Sequence, residues 1–550
     1  MNNHSIEINE AKKRLIISCV LALSVFGGIL SQLVSISWIS KSINVSSQNN
    51  SFNKTRNNIV DRNGNILATS VKAWKIIVNP KEVLDPEFSA KKLHQIMPEK
   101  NYNWIYNKLT SKSGYQEIDR KASPLRYKKI LNAGITGIKF QENETRFYPT
   151  QKSLSHIIGN VGRENVGLSG IELSKDNELR FGYDELKLTI DLGVQYVVEN
   201  ELQKQIDKFD AIGGAAILIN VKNGEIISAA SNPSFDLNNN ILIDDERFNR
   251  YSVGTYEMGS TFKLINSAIA IDSQRVSLDD KFDISTPLRR GRFTINDFET
   301  IKRFDSPVNL SQILIHSSNI GSALIAEKIG SKIQKSYMEK LGLTSKLNIP
   351  FPEVAKPQVN PNWDNLRTMT IGFGHGISVT PLQLTYAIAA IMNGGNYIKP
   401  KLLIDNEPII SKRVFQPETS DIMRKLSRIV VTQGSGKNAD AKGYLVGGKT
   451  GTAEKVFSGK YNKKKNLASF VGIFPIHDPN YLVFVMIDEP KGKPISNNFT
   501  TGGWVAAPAV KRIINKSAPI LKIKPFDQNL PEIKHILDFN LKNYFIEARI

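Results

Sequence analysis

The residues best suited to chemistry are Ser260 and Lys263, which stand at the start of an apolar stretch with helical spacing. On a helix, residues three apart share a face with Cβ atoms about 5 to 6 Å apart, so the Lys263 amine can reach the Ser260 hydroxyl. A serine hydroxyl is a poor nucleophile until a base takes its proton, and partial burial lowers the pKa of a lysine toward that role. The positive end of the helix would also stabilise an oxyanion beside Ser260. The pair therefore predicts a nucleophilic serine with a lysine base.

Two further motifs follow along the chain. Ser317 and Asn319 come after an apolar helical run, and helix capping is the alternative explanation for them. Residues 447–452, Gly-Gly-Lys-Thr-Gly-Thr, lie on a predicted strand, where clustered glycines are unfavourable unless another backbone comes close. Peptide docking along this strand edge is the functional interpretation.

None of the three motifs is diagnostic by itself. Ser-x-x-Lys also occurs at Ser51 and at Ser89, where no buried helix follows. The order and context are more specific, because Ser-x-Asn begins 57 residues after Ser260 and Lys-Thr-Gly begins 130 residues after Asn319. This set is similar to the one found in serine β-lactamases and penicillin-binding proteins.

The elements that must position these motifs change in pattern at about residue 186. Residues 56–68 contain two apolar runs around an Asn-Gly turn, which predicts a hairpin, and mixed patterns without a catalytic group continue to about 185. The later predicted elements are a hairpin at 215–221 and 225–230, a mainly helical stretch at 256–435 with loops at 286–297 and 351–363, and strands at 446–456, 469–474 and 481–487. A sheet built from both ends of one domain, with helices inserted between, predicts an α+β fold with an antiparallel sheet.

A run of 26 residues without a formal charge, 15–40, exceeds the roughly 20 residues needed to span a bilayer. Lys12, Lys13 and Arg14 precede it, so the positive-inside bias predicts a cytoplasmic N-terminus and an exported remainder. A cleaved signal peptide is the alternative, but the run is long and no Ala-x-Ala site closes it. We therefore predict a single uncleaved membrane anchor.

Composition narrows the class of protein. The chain has 550 residues, 41% of them hydrophobic and 23% charged, which excludes a mainly disordered or polytopic membrane chain. The net charge of +20 would suit an anionic partner, but no nucleic-acid-binding motif accompanies it, and we predict no nucleic-acid partner. A single cysteine and no paired histidine motif predict neither a disulfide nor a metal site, and we expect no cofactor.

From the anchor to about residue 516 the chain resembles the class B penicillin-binding proteins, most closely their FtsI-like, division-specific branch. Residues 56–68 and 146–172 look like the pedestal, or dimerisation, domain of that family, and residues 188–191 and 247–263 look like the start of its transpeptidase domain. The branch assignment rests on 372–383 and 501–508, and Met258 replaces a proline found in many relatives. The resemblance implies the following division: a cytoplasmic tail at 1–14, an anchor at 15–40, a linker at 41–55, a pedestal domain at 56–185, a transpeptidase domain at 186–516 and a C-terminal tail at 517–550.

The same resemblance implies a role for each motif residue in peptidoglycan D,D-transpeptidation. Ser260 would attack the penultimate D-alanine of a donor stem peptide, with Lys263 as general base. Ser317 would relay a proton with Lys263 and Lys449, and Asn319 would hold the donor amide. The backbone N–H groups of Ser260 and Thr452 would form the oxyanion hole. The strand residues Thr450, Gly451 and Thr452 would bind the substrate, with the two threonine hydroxyls on its terminal carboxylate. An amine of a neighbouring stem peptide would then take the acyl group.

The resemblance also implies β-lactams as inhibitors, an inner-membrane location with a periplasmic catalytic domain, and partners that include a membrane glycosyltransferase and other division proteins.

Three alternatives stay open. The first is a hydrolase, either a D,D-carboxypeptidase or a β-lactamase, that delivers the acyl group to water. The others are a scaffold with vestigial catalysis and an elongation-type transpeptidase.

Overall fold

The computed structural model describes residues 16–17, 20–32, 55–239, 244–291, 293–298, 306–457, 460–527, 529–531 and 533. The chain divides into two compact units, Met1–Lys54 and Thr55–Ile550. The first unit contains helix α1 at residues 20–32, whose apolar side chains are exposed. Within the described part of the chain, no helix has both the length and the apolar character needed to cross a bilayer. Of the predicted anchor 15–40, residues 15, 18–19 and 33–40 lie outside the described residues.

The second unit begins with a small mixed sheet. Its strands are β1 (Ile59–Val60), β2 (Ile66–Val78), β3 (Gln116–Ala122), β4 (Ile138–Phe147) and β5 (Leu186–Lys187). The predicted 56–68 hairpin is confirmed, since β1 pairs antiparallel with β2 across a turn in which Gly64 has φ +86°. β5 pairs in parallel with β1, which joins the start of the predicted second domain to the first strand of the pedestal region. The helices of this region are α2 (Pro86–Ile96), α3 (Tyr102–Leu109), α4 (Pro124–Asn132), α5 (Ser155–Ile158), α6 (Gly170–Ser174) and α7 (Asp176–Phe181).

Buried charges hold the pedestal region to its N-terminal strand. The Arg56 guanidinium donates to Glu172, with Nε 2.6 Å from Oε2, and Arg146 Nε lies 2.7 Å from Oε1 of the same carboxylate. All three side chains are at most 2% exposed. Loss of one member of such a group leaves an unpaired buried charge, so the pairing specifies how these segments join.

The main sheet is antiparallel. Its strands are β6 (Gly213–Asn220), β7 (Ile226–Asn232), β16 (Gly447–Phe457), β17 (Lys460–Phe474) and β18 (Tyr481–Asp488). Their order in the sheet is β16-β17-β18-β6-β7. Strands from both ends of the domain meet where β18 pairs with β6. The predicted α+β class, the hairpin at 215–230 and the two-ended sheet are therefore confirmed.

Helices cover both faces of this sheet. α8 (Leu192–Lys208) and α18 (Ala507–Ile520) pack on one face around Phe470 and Val483. α10 (Phe262–Asp272) and α15 (Pro381–Met392) pack on the other around Ile217 and Phe484. The remaining helices are α9 (Asp244–Arg247), α11 (Leu310–His316), α12 (Asn319–Ile329), α13 (Ser331–Lys340), α14 (Asn365–Ile371), α16 (Pro417–Thr432) and α17 (Gly502–Val505).

Three details differ from the sequence expectations. β17 begins at Lys460 rather than near 469, because 460–466 is a polar extension that pairs with β16 but lacks apolar alternation. The predicted loop 286–297 contains a short hairpin of β9 (Leu288–Arg290) and β10 (Phe293–Ile295). α18 continues past the predicted boundary at 516 to Ile520. The other short strands are β8 (Lys281–Phe282), β11 (Val308–Asn309), β12 (Gln358–Val359), β13 (Ile377–Ser378), β14 (Asn396–Ile398) and β15 (Ser411–Arg413).

Candidate active site

Ser260 lies in a 3₁₀ turn, Gly259–Thr261, that leads directly into α10. Gly259 has φ +52°, and a Cβ at this position would lie 2.5 Å from the carbonyl oxygen of Thr452. The Gly259 N–H also donates to the carbonyl oxygen of Gly374 at 3.3 Å. Glycine at 259 therefore allows the turn before Ser260 to pack directly against the backbone of β16.

Lys263 is fully buried one turn further along α10, and it contacts the Ser-x-Asn segment. Its Nζ donates to Ser317 O at 2.5 Å and to Asn319 Oδ1 at 2.7 Å, and it lies 3.2 Å from Ser317 Oγ. Among the described residues, Ser260 Oγ is not one of its hydrogen-bond partners. Burial holds the pKa of Lys263 well below its usual value, and the nearby charge of Lys449 lowers that pKa further. A lowered pKa favours the neutral form of the amine, which is the form that can accept a proton.

Ser317 connects the first lysine to the second. It ends α11 in the left-handed region, with φ +61°, so that its carbonyl and its hydroxyl both face Lys263. Lys449 Nζ donates to the same Ser317 Oγ at 2.9 Å and to Thr450 Oγ1 at 3.3 Å. Burial lowers the pKa of Lys449 to about 7. One hydroxyl thus lies between two buried amines, each with a lowered pKa.

The third motif occupies the edge of the main sheet. Thr450 pairs with Phe470 and Thr452 with Ala468 of β17, and no described strand pairs with the other side of β16. The side chains of Thr450 and Thr452 fall on one face of the strand, and Gly451 falls on the opposite face. A Cβ at Gly451 would lie 2.9 Å from Met258 O, so this glycine is required by the packing of β16 on the turn that contains Ser260. The open edge has the form that accepts an added peptide strand.

The structure thus brings Lys263, Ser317, Asn319 and Lys449 into one hydrogen-bonded group. Ser260, which is 8% exposed, belongs to the turn whose Gly259 packs on Thr452 of β16. Thr450 Oγ1 lies 3.3 Å from Lys449 Nζ, whereas Thr452 Oγ1 accepts a hydrogen bond from Gly502 N at 3.1 Å.

Two residues that contact the motif residues were missed by the sequence analysis. Asp297 accepts from Ser318 Oγ at 2.6 Å and from the N–H groups of Asn319 and Ile320, so it fixes the start of α12. Ser435 Oγ lies 2.8 Å from Thr450 Oγ1. Asp297 lies in a loop without a recognisable pattern, whereas Ser435 sits between two glycines after a predicted helix, where a functional turn could have been suspected.

No group of three or more histidine, cysteine, aspartate or glutamate residues that could hold a metal ion occurs among the residues for which the structure gives positions. The groups that the structure brings together here are a serine, two lysines, a bridging hydroxyl and a strand edge.

Two family models match the chain. The "Penicillin binding protein transpeptidase domain" matches residues 214–515, and the "Penicillin-binding Protein dimerisation domain" matches residues 52–207. A probable peptidoglycan D,D-transpeptidase FtsI of Caulobacter vibrioides is 36% identical, covering 85% of this chain and 82% of that protein. Stage V sporulation protein D of Bacillus subtilis is 32% identical, covering 91% of this chain and 82% of that protein.

The fold is also similar to a solved structure. Penicillin-binding protein 3 of Mycobacterium tuberculosis, crystallised with aztreonam, superposes with a TM-score of 0.68 at 21% identity, covering 86% of this chain and 97% of that one. The family models and the 36% identical relative together carry the assignment. The chain belongs to the penicillin-binding protein transpeptidases that carry an N-terminal dimerisation domain.

Proposed function

We propose that this protein is a peptidoglycan D,D-transpeptidase that cross-links stem peptides of the septal wall through a serine acyl-enzyme. The observation that carries the proposal is the Ser317 hydroxyl, which lies 3.2 Å from Lys263 Nζ and 2.9 Å from Lys449 Nζ. Relatives named as peptidoglycan D,D-transpeptidases support it. We also propose the division into a pedestal domain at 56–185 and a transpeptidase domain at 186–516.

In the first half-reaction Ser260 Oγ bonds to the carbonyl carbon of the penultimate D-alanine, and its proton passes to neutral Lys263. The low pKa of buried Lys263 supports this role, because the free amine is the form that can accept a proton. The N–H groups of Ser260 and Thr452 stabilise the oxyanion, as the close packing of Gly259 on Thr452 allows.

Collapse of the tetrahedral intermediate breaks the bond between the carbonyl carbon and the nitrogen of the terminal D-alanine. The leaving nitrogen takes its proton from Ser317 Oγ. That hydroxyl then regains a proton from one of the two lysines that it contacts. Asn319 holds the donor amide, and Thr450, Gly451 and Thr452 bind the terminal carboxylate along the strand edge. In the second half-reaction an acceptor amine attacks the ester carbon and loses a proton to Lys263, the C–O bond to Ser260 breaks as Oγ takes a proton back from Lys263, and a new amide forms.

We also propose that residues 15–40 anchor the protein in the inner membrane, with its catalytic domain in the periplasm. The 26 uncharged residues of this run support the anchor. Large apolar side chains of the described helical part are more than half exposed within their own unit, as lipid-facing residues are: Leu21, Leu23, Phe26 and Leu30.

The nucleophile is tested by acylation with a fluorescent penicillin. Ser260→Ala removes the only atom that forms the ester, so we expect labelling to fall by at least about a thousandfold with the melting temperature unchanged. Ser89→Ala is the matched control, because Ser89 and Lys92 repeat the Ser-x-x-Lys spacing on α2. Labelling that survives in folded Ser260→Ala would contradict the assignment.

The electrostatic role of Asp297 is tested by the pH profile of penicillin acylation. Its charge raises the pKa of Lys263, so Asp297→Asn lowers that pKa, and neutral Lys263 persists to lower pH. We therefore expect the acid limb of the profile to move to lower pH. Asp364→Asn, which removes a similar cap from α14, should leave the limb in place. An acid limb at the same or higher pH in Asp297→Asn would count against this role.

Topology is tested by a reporter enzyme fused after Ile550. We expect activity only from a reporter that works outside the cytoplasm, and we expect the mature N-terminal peptide to retain residues 15–40 because the run is too long for a signal peptide. A mature chain that begins after the run would show cleavage instead of anchoring.

The septal role is tested by depletion in the source organism. If this enzyme cross-links the division septum, depleted cells elongate into filaments and the tagged protein concentrates at mid-cell. Rounded cells would reassign the protein to elongation, with Ser260 and its neighbours keeping the same chemistry.

A further inference from the structure

The loop between β18 and α17, together with α17 itself, exposes aromatic side chains beside the candidate active site. Phe499 is 50% exposed and Trp504 is 38% exposed. Their rings are nearly parallel, at 14°, with centroids 6.3 Å apart, which is an offset arrangement. Exposed apolar groups that are clustered in this way mark interaction sites more often than scattered ones do.

Hydrogen bonds attach this loop to the β16 edge. Gly502 N donates to Thr452 Oγ1 at 3.1 Å, and Asn466 Nδ2 donates to Thr500 Oγ1 at 2.7 Å. A Cβ at Gly502 would lie 2.5 Å from Gly451 O, so the loop packs on the strand without an intervening side chain. The aromatic pair is therefore fixed relative to the residues that would hold the donor carboxylate, and a ligand there would not have to order it.

The segment around the rings is uncharged, and besides polar side chains it exposes Ile495. Residues 494–504 contain no acidic or basic side chain. Asn497 and Asn498 are exposed, both with positive φ, and their side-chain amides make no hydrogen bond within the described part of the chain. The nearest lysine in sequence, Lys493, has its Nζ 2.5 Å from Asp210 Oδ2, so its charge is already paired. Aromatic faces with free amides suit a neutral, hydroxyl-rich ligand better than an anion or a lipid.

We propose that Phe499 and Trp504 form a platform for a sugar ring of the peptidoglycan glycan strand, with Asn497 and Asn498 binding its hydroxyl or acetamido groups. A pyranose presents a face of C–H bonds, which packs against the electron-rich face of an aromatic ring. The platform would align the glycan strand whose stem peptide lies along β16. This inference rests on the proposed function, because it takes the same polymer as its ligand.

The test measures binding of peptide-free peptidoglycan glycan strands to the full chain in detergent by titration calorimetry. We expect Trp504→Ala to weaken binding about tenfold or more and Trp504→Phe to retain most of it, because an aromatic face remains. Trp104→Ala is the matched control, because Trp104 is also 38% exposed but lies on α3 of the pedestal region. Asn498→Ala supplies a second variant that removes no aromatic packing, and it should also weaken binding.

Penicillin acylation of Ser260 separates this inference from the proposed function. Trp504→Ala should be acylated at the parent rate, since the platform does not contact the reacting atoms. Unchanged glycan affinity in both Trp504→Ala and Asn498→Ala would overturn the inference, and so would loss of acylation together with binding. A parent chain that penicillin does not acylate would contradict the proposed function instead.

Discussion

The site depends on one hydroxyl, Ser317 Oγ, that is shared by two fully buried lysines. Two ammonium groups cannot be removed from water side by side without a large free-energy cost, so burial lowers the pKa of both amines. The fold therefore holds two amines of lowered pKa on either side of one hydroxyl, with the pKa of Lys449 at about 7. Asp297, which accepts hydrogen bonds from the first N–H groups of α12, opposes this effect because its charge raises the pKa of Lys263.

The shared hydroxyl requires three separate elements of the fold to meet. α10 supplies Lys263, the end of α11 supplies Ser317 and β16 supplies Lys449, and these elements pack without intervening side chains. Gly259 and Gly451 provide that contact between the turn that contains Ser260 and the strand edge. A larger residue at either position would move Ser260 relative to β16, and rates in enzymes are sensitive to such displacements.

Motif residues and regular elements could be predicted from sequence because each leaves a local pattern. The hairpin of β6 and β7 shows apolar runs around Asn-Gly, and Ser260 with Lys263 shows a helical spacing. β17 was predicted too short because its first residues are polar, and its pairing with β16 is a tertiary property. Asp297 could not be predicted, because its partners lie 21 to 23 residues away and the contact has no periodicity.

The central claim is that the two lysines that share Ser317 are held at low pKa by the fold. Titration of ¹³C-labelled lysine side chains by NMR tests it most directly, with Lys263→Met and Lys449→Met to assign the two resonances. The account predicts a midpoint of about 7 for Lys449 and a midpoint well below the ordinary lysine value for Lys263. If both lysines stayed protonated up to the ordinary lysine pKa near 10.4, the account would be contradicted.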